Sequence, residues 1–446
     1  MSSVSGLSAL PVELIHAIAG HCRHADLLSL CRTGRQIHAI CLGCIYRTIT
    51  LLELDQVVNC CKTIISRPRA AESVREFQIT CFPRLGLKSF YSTVECAINR
   101  LKNIQILRVS NSRTIFRLLC DMHFPRLTEC AIPSSIAIAP FLKKNPTIVT
   151  LHVLPCLEGL GMNGVNYDAD AAFEFTSQLE PIHMPNLEAF IGPINVGCSV
   201  IPQSRARRMT IYWGTDPVIS FSDGLATLTR SKADIIELNN LICTWDCALI
   251  SAIAQHIPHV ERLLFRNLMD YDDAERFLES IEHALPSLPA LETLDLLEGF
   301  HADIDTAALD AEFPTVRRWG AASPRLYHIA LPSNNTWGVL CGAWFPGAAT
   351  LGLIMFRHLA MDAAAMRHFK WFFRTTAASP ALPQDYHLLA EFIAGIEGIC
   401  AVRRAIEEEG DVPDFVFTLE DVRGSRISFV SDPSDSDSGS ESGSRS

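Results

Sequence analysis

Several clusters of residue types in this chain could carry chemistry. Gly159-Leu160-Gly161-Met162-Asn163-Gly164 has the spacing at which glycines let a backbone approach a pyrophosphate, provided a helix N-terminus points at the phosphate. Here Pro155-Cys156-Leu157-Glu158 parts the glycines from the strand at 150–153, and Val165-Asn166-Tyr167 parts them from the helical segment at 168–179. A glycine-rich loop is therefore the reading, and no cofactor is expected. Cys41-x-x-Cys44 with Cys60-Cys61 offers four thiolates, but no second spaced pair completes a zinc signature. His16, His21 and His24, with Cys22, lie between two helical segments, where surface or partner contact is expected rather than metal. Arg205, Arg207 and Arg208 form a basic cluster beside Tyr212 and Trp213. It reads as a solvated edge, with an acidic or phosphorylated peptide as the alternative. No nucleophile elbow, zincin helix, P-loop or kinase set occurs. The sequon Asn334-Asn335-Thr336 reads as a turn, and no metal site or catalytic residue is assigned.

The elements that would position such residues follow from composition. With 446 residues, 48% hydrophobic and 20% charged, mean hydropathy +0.18, the chain can bury a sizeable core without disulfides or metal. This composition excludes a wholly disordered chain, a disulfide-stapled miniprotein and a collagen-like fibre. The net charge of −11 argues against a nucleic-acid coat or a basic membrane-surface protein. That charge is concentrated in residues 391–446, and the preceding chain is nearly neutral. The 16 cysteines sit largely in apolar stretches and read as reduced, small hydrophobes of a cytoplasmic or nuclear protein. The N-terminus lacks a basic n-region and Glu13 interrupts its apolar run, so no signal peptide is expected. Gly338 to Phe356 is uncharged and long enough to span a bilayer, but Pro346 and four glycines divide it. Two short strands, and no membrane partner, are the expectation.

Residues 8–48 read as three short helices. Pro11 suits a first turn, with Leu10, Leu14, Ile15 and Ile18 at helical spacing. Asp26 is the expected cap of a helix containing Leu27, Leu28 and Leu30, which Gly34 would end. Ile37, Ile40, Cys41, Cys44 and Ile45 then line one side of a third. So small a unit needs a partner surface for the rest of its apolar residues.

In these residues the segment resembles the F-box. The family's opening phrase is matched by Leu10-Pro11-Val12-Glu13-Leu14-Ile15-His16-Ala17-Ile18, and its middle phrase by Asp26-Leu27-Leu28-Ser29-Leu30 with Arg32 and Arg35 following. The closing phrase common in fungal members is matched by Ile45-Tyr46-Arg47-Thr48-Ile49, whereas the frequent tryptophan near the third helix is absent. The resemblance covers about a tenth of the chain. It implies docking onto a Skp-type adaptor, and through it a cullin, by Leu10, Pro11, Leu14, Ile15, Ile18, Leu27, Leu28, Leu30, Ile45 and Tyr46. It also implies a substrate-recognition subunit of a ubiquitin ligase that performs no chemistry itself. An F-box scaffold working outside a cullin complex is the alternative, and a dinucleotide-dependent enzyme using the glycine loop a remoter one.

Between residues 100 and 360 a phrase recurs: Pro or Asn, then apolar-x-x-apolar-x-apolar. Its first apolar residues are Ile104, Leu127, Ile148, Leu187, Val260, Leu291 and Leu326, with weaker copies at Ile235 and Val316. The shorter intervals fall in the leucine-rich-repeat range of about 20–29 residues. Each phrase would be a strand backed by a helix, such as 116–119 or 274–281, and stacked units would bury one another's apolar faces. The usual asparagine or cysteine ladder position is not evident. A non-repetitive α/β domain whose strands begin at Pro-x-Leu is the alternative. The expected fold is therefore α/β: a three-helix F-box over 1–52, an irregular leucine-rich-repeat-like solenoid over 53–358, a capping region over 359–430 and a disordered acidic, serine-rich tail over 431–446. The client protein cannot be read from one sequence, because its recognition rests on exposed side chains.

Overall fold

A computed structural model describes residues 10–81, 88–109, 113–135, 138–154, 180–214, 219–268, 274–299, 308–340, 342–347 and 381. The glycine-rich loop, the 168–179 helix, the capping region and the acidic tail lie outside the described residues. The chain divides into one unit formed by Met1–Asp305 with Glu312–Val339, and another formed by Thr306–Ala311 with Leu340–Ser446.

The first unit is mixed α/β and opens with helices α1 (Val12–His21), α2 (His24–Leu30) and α3 (Arg35–Ile45). Pro11 caps α1, and its carbonyl accepts from the amides of Leu14 and Ile15, both at 3.1 Å. Two expectations are corrected here. Arg23, not Asp26, is the N-cap of α2; Asp26 sits in the first turn, where its charge complements the helix dipole. Gly34 does not end α2 but starts α3, accepting from the His38 amide at 2.8 Å. Ala19, Leu27, Ile37 and Cys41 are the buried centre of the bundle, and α3 in turn packs on the helix over Pro68–Ser73.

The strands β1 (Thr48–Leu51), β2 (Glu76–Ile79), β3 (Ile106–Val109), β4 (Glu129–Pro133), β5 (Thr150–Leu154), β6 (Ala189–Pro193), β7 (Arg208–Tyr212), β8 (Glu237–Ile242), β9 (Arg262–Asn267), β10 (Thr293–Glu298), β11 (His328–Ala330) and β12 (Thr336–Leu340) lie side by side in chain order. All neighbours from β1 to β11 pair in parallel, and β12 turns back antiparallel on β11. Each therefore hydrogen-bonds only to its sequence neighbours. The connections carry α4 (Leu54–Ser66), α5 (Pro68–Ser73), α6 (Lys88–Ile98), α7 (Arg113–Leu119), α8 (Ile138–Lys144), α9 (Ile194–Val200), α10 (Phe221–Leu228), α11 (Cys247–His256), α12 (Glu275–Ala284) and α13 (Leu309–Ala322). In the second unit β13 spans Ala343–Pro346.

Strand alternation explains the core. One ladder of side chains runs in register from Ile49 through Phe77, Leu107, Cys130, Leu151, Phe190, Met209, Leu238, Leu263 and Leu294 to Ile329, all buried. A side chain of this size, once buried, contributes about 1.5–3 kcal/mol. Helix residues cover that face: the Phe277 ring of α12 meets Phe265 of β9 edge-on at 5.1 Å, and Phe141 of α8 meets Phe116 of α7 at 5.5 Å. The weak phrase at Val316 is not a strand. Val316 and Trp319 are buried on α13, because apolar residues three apart fit a helix face as well as the opening of the strand phrase. The strands β1, β2 and β7 were not anticipated.

Buried asparagines do tie neighbouring connections, though without a regular period. Asn145, just past α8, accepts from the Phe124 amide at 2.7 Å and donates to the carbonyls of Met122 at 3.1 Å and Phe141 at 2.8 Å. Asn240 accepts from the Trp213 indole at 3.0 Å and donates to the Leu264 carbonyl at 3.2 Å. Trp213, which the sequence sets beside the basic cluster, is thus a core residue.

Candidate protein-docking face

Helix α1 is apolar on two sides, and the bundle can bury only one. Ile15 and Ala19 turn inward at 4% and 1% exposure, with Leu27 of α2 at 6%. Leu10, Leu14 and Ile18, four residues apart, stay out at 36%, 52% and 43%, and Leu28 of α2 at 47%. Leu14 and Ile18, at i and i+4, share one face of α1, and the exposed Leu10 and Pro11 stand just before its first turn. Val12 is exposed as well. Leaving such side chains in water forgoes about 1.5–3 kcal/mol each, and clustered exposed apolar residues mark interaction surfaces.

The residues expected to bind an adaptor therefore fall into three groups. Leu10, Pro11, Leu14, Ile18 and Leu28 are exposed. Ile15 and Leu27 are buried and hold the helices together. Leu30, Ile45 and Tyr46 are half-buried, the first two packed against the bundle core. His16, His21 and His24 are all exposed.

Five of the described cysteines, Cys41, Cys61, Cys81, Cys130 and Cys243, are buried as core hydrophobes. Cys41 is fully buried, and burial, then the neighbouring Cys31 and Cys44, push its thiol above the ordinary value. Burial pushes Cys60 up to about 11 and Cys61 to about 12. A thiol held protonated is a poor metal ligand and nucleophile. Among the described residues no group of three or more His, Cys, Asp or Glu side chains is placed to hold a metal, and no helix is long and apolar enough to cross a membrane.

On the strand face opposite the helices, Arg108 of β3 bridges Glu76 of β2 at 2.8 Å and Glu129 of β4 at 2.6 Å. On β5, burial holds the His152 imidazole below its ordinary pKa; the neighbouring Glu129 opposes this and Arg108 adds to it. Farther along, Arg262 pairs with Glu237 at 3.2 Å. Arg205, Arg207 and Arg208 are exposed, as their charge required. Arg205 joins Arg126 in lining a cavity of about 380 Å³ at the N-terminal ends of the strands. That grouping was not anticipated, because the two arginines are brought together only by the register of β4 to β7.

Compared with known proteins, the chain matches no protein-family model, and no curated protein is significantly similar to it.

Proposed function

We propose that the chain is a non-catalytic recognition subunit of a Skp–cullin–F-box ubiquitin ligase. In this reading α1 to α3 are an F-box that docks on a Skp-type adaptor, and the strand–helix array is a leucine-rich-repeat-like solenoid that holds a client protein. The transfer chemistry belongs to other subunits, and the complex works in the cytoplasm or nucleus. The observation that carries the reading is the exposure of Leu14 and Ile18 on one face of α1, of Leu10 and Pro11 just before it, and of Leu28 on α2. These apolar residues belong to the phrases through which the chain resembles the F-box, and the bundle does not use them for its own core. Helix-face docking onto an apolar groove needs apolar anchors at helical spacing, as Leu14 and Ile18 provide, and the neutral, parallel-stranded body suits packing against other proteins. The test is co-purification of a Skp-type adaptor with the full chain and with Leu10→Ala, Pro11→Ala. The account expects recovery with the wild type and its loss in the variant. Unchanged recovery in the variant would overturn it.

A further inference from the structure

We infer that the cavity between Arg126 and Arg205 binds an extended peptide segment carrying two anionic side chains. This deepens the proposed function by naming the class of client segment, and rests on that reading only for the ubiquitin context.

The argument begins with register. In β4 to β7, Glu129, Thr150, Ala189 and Arg208 are direct partners. Three residues earlier in each turn stand Arg126, Thr147, Asn186 and Arg205, and all four line one cavity of about 380 Å³. They form a rung whose middle is polar and uncharged and whose two ends are cationic. Parallel strands lie about 4.8 Å apart, so three steps place the ends of the rung about 14 Å from each other.

The two middle side chains are already engaged. The Thr147 hydroxyl donates to the Leu127 carbonyl at 2.8 Å and the Asn186 amide to the Pro146 carbonyl at 3.3 Å, which fixes the floor. The two ends are not engaged. Arg108, Arg262, Arg318 and Arg325 all have carboxylate partners. Arg126 and Arg205 make no side-chain hydrogen bond or ion pair with any described residue. The one carboxylate in the lining, Glu188, has Arg207 beside it in the next rung. The lining therefore carries two guanidiniums against one carboxylate, one positive charge in excess. Two arginines without partners among the described residues thus face one depression.

Guanidinium pairs bidentately with carboxylate or phosphate. In an extended peptide, residues four apart point the same way and lie about 13 Å apart, close to the span of the rung. The ligand is therefore a strand-like segment with acidic or phosphorylated residues at i and i+4, lying across the turns.

The test uses the full chain and three fluorescein-labelled peptides that differ only at positions i and i+4: glutamate, phosphoserine or glutamine. Fluorescence polarisation should show binding of an anionic peptide and none of the glutamine peptide, and a tenfold rise in ionic strength should weaken it. The tighter of the two anionic peptides identifies the source of the charge. Arg126→Ala and Arg205→Ala should each weaken binding about tenfold, with thermal midpoints unchanged because both side chains are exposed and unpartnered. Leu14→Asp, which disables the proposed adaptor face, should bind the anionic peptide like the wild type. The inference is overturned if neither anionic peptide binds, if the glutamine peptide binds equally, or if the double arginine variant keeps full affinity. None of those results bears on adaptor binding.

Discussion

Asn145→Ala should destabilise the first unit by an amount that the structure lets one estimate. Asn145 is fully buried, and its side chain satisfies three backbone groups in the segments that flank it: the Phe124 amide and the carbonyls of Met122 and Phe141. A buried donor stripped of its acceptor costs about 1–3 kcal/mol. Carbonyls, with two lone pairs, tolerate loss better. Taking about 2 kcal/mol for the amide and about 1 kcal/mol or less for each carbonyl gives a loss of about 2–4 kcal/mol. For a unit of this size that is a fall in thermal midpoint of roughly 3–6 °C. Asn145→Asp sharpens the test. One carboxylate oxygen can still accept from Phe124, but the other faces two carbonyls and buries a charge. At neutral pH this variant should be at least as damaged as the alanine one, and it should recover in part as falling pH protonates the carboxyl into a donor. Thermal and denaturant unfolding of the three proteins across pH provide the assay. A midpoint for Asn145→Ala within about 1 °C of wild type, or an aspartate variant milder than alanine at neutral pH, would refute the reasoning.

Two further predictions rest on packing and on thiol burial. A Cβ at Gly192 would lie 2.9 Å from both the Phe190 ring and Val153. Gly192→Ala should therefore cost about 1–3 kcal/mol by overpacking, read as a lowered unfolding midpoint, and an unchanged midpoint would contradict it. Burial raises the Cys61 thiol to about 12 and also raises Cys130, whereas Cys96 is exposed. Iodoacetamide at mildly alkaline pH should alkylate Cys96 in the folded protein and spare Cys61 and Cys130. Comparable rates by mass spectrometry would count against the buried assignment. The sign of the linkage follows: these thiols favour the fold fully below the unfolded cysteine pKa of about 8.5, and that contribution is lost as pH rises toward their raised values.

The Pro- or Asn-led phrase located β3 to β6 and β9 to β11 because a turn followed by alternating apolar residues is a local signal. The β7 strand escaped it because Arg205, Arg207 and Arg208 hide the alternation of Met209 and Ile211, which is visible only once the arginines are seen to face outward. Thr48–Leu51 and Glu76–Ile79 are short, and neither carries the phrase. In the candidate docking face, the spacing of Leu10, Leu14 and Ile18 was legible. Which of the apolar residues face outward was not, since α1 is apolar on two sides and only the positions of α2 and α3 decide that Ile15 goes in and Leu14 stays out. The Arg126–Arg205 pair illustrates the same limit, because pairing of distant strands is set by tertiary register rather than local pattern.

The central claim is that the exposed face of α1 docks on an adaptor. Its most direct test mixes the purified full chain with a purified Skp-type adaptor and follows the pair by size-exclusion chromatography, alongside Leu14→Asp, Ile18→Asp. Both positions are exposed, so the variant should keep the wild-type unfolding midpoint. The account predicts co-elution for the wild type and separate elution for the variant. Separate elution of the wild type, or co-elution that survives both substitutions, would contradict it.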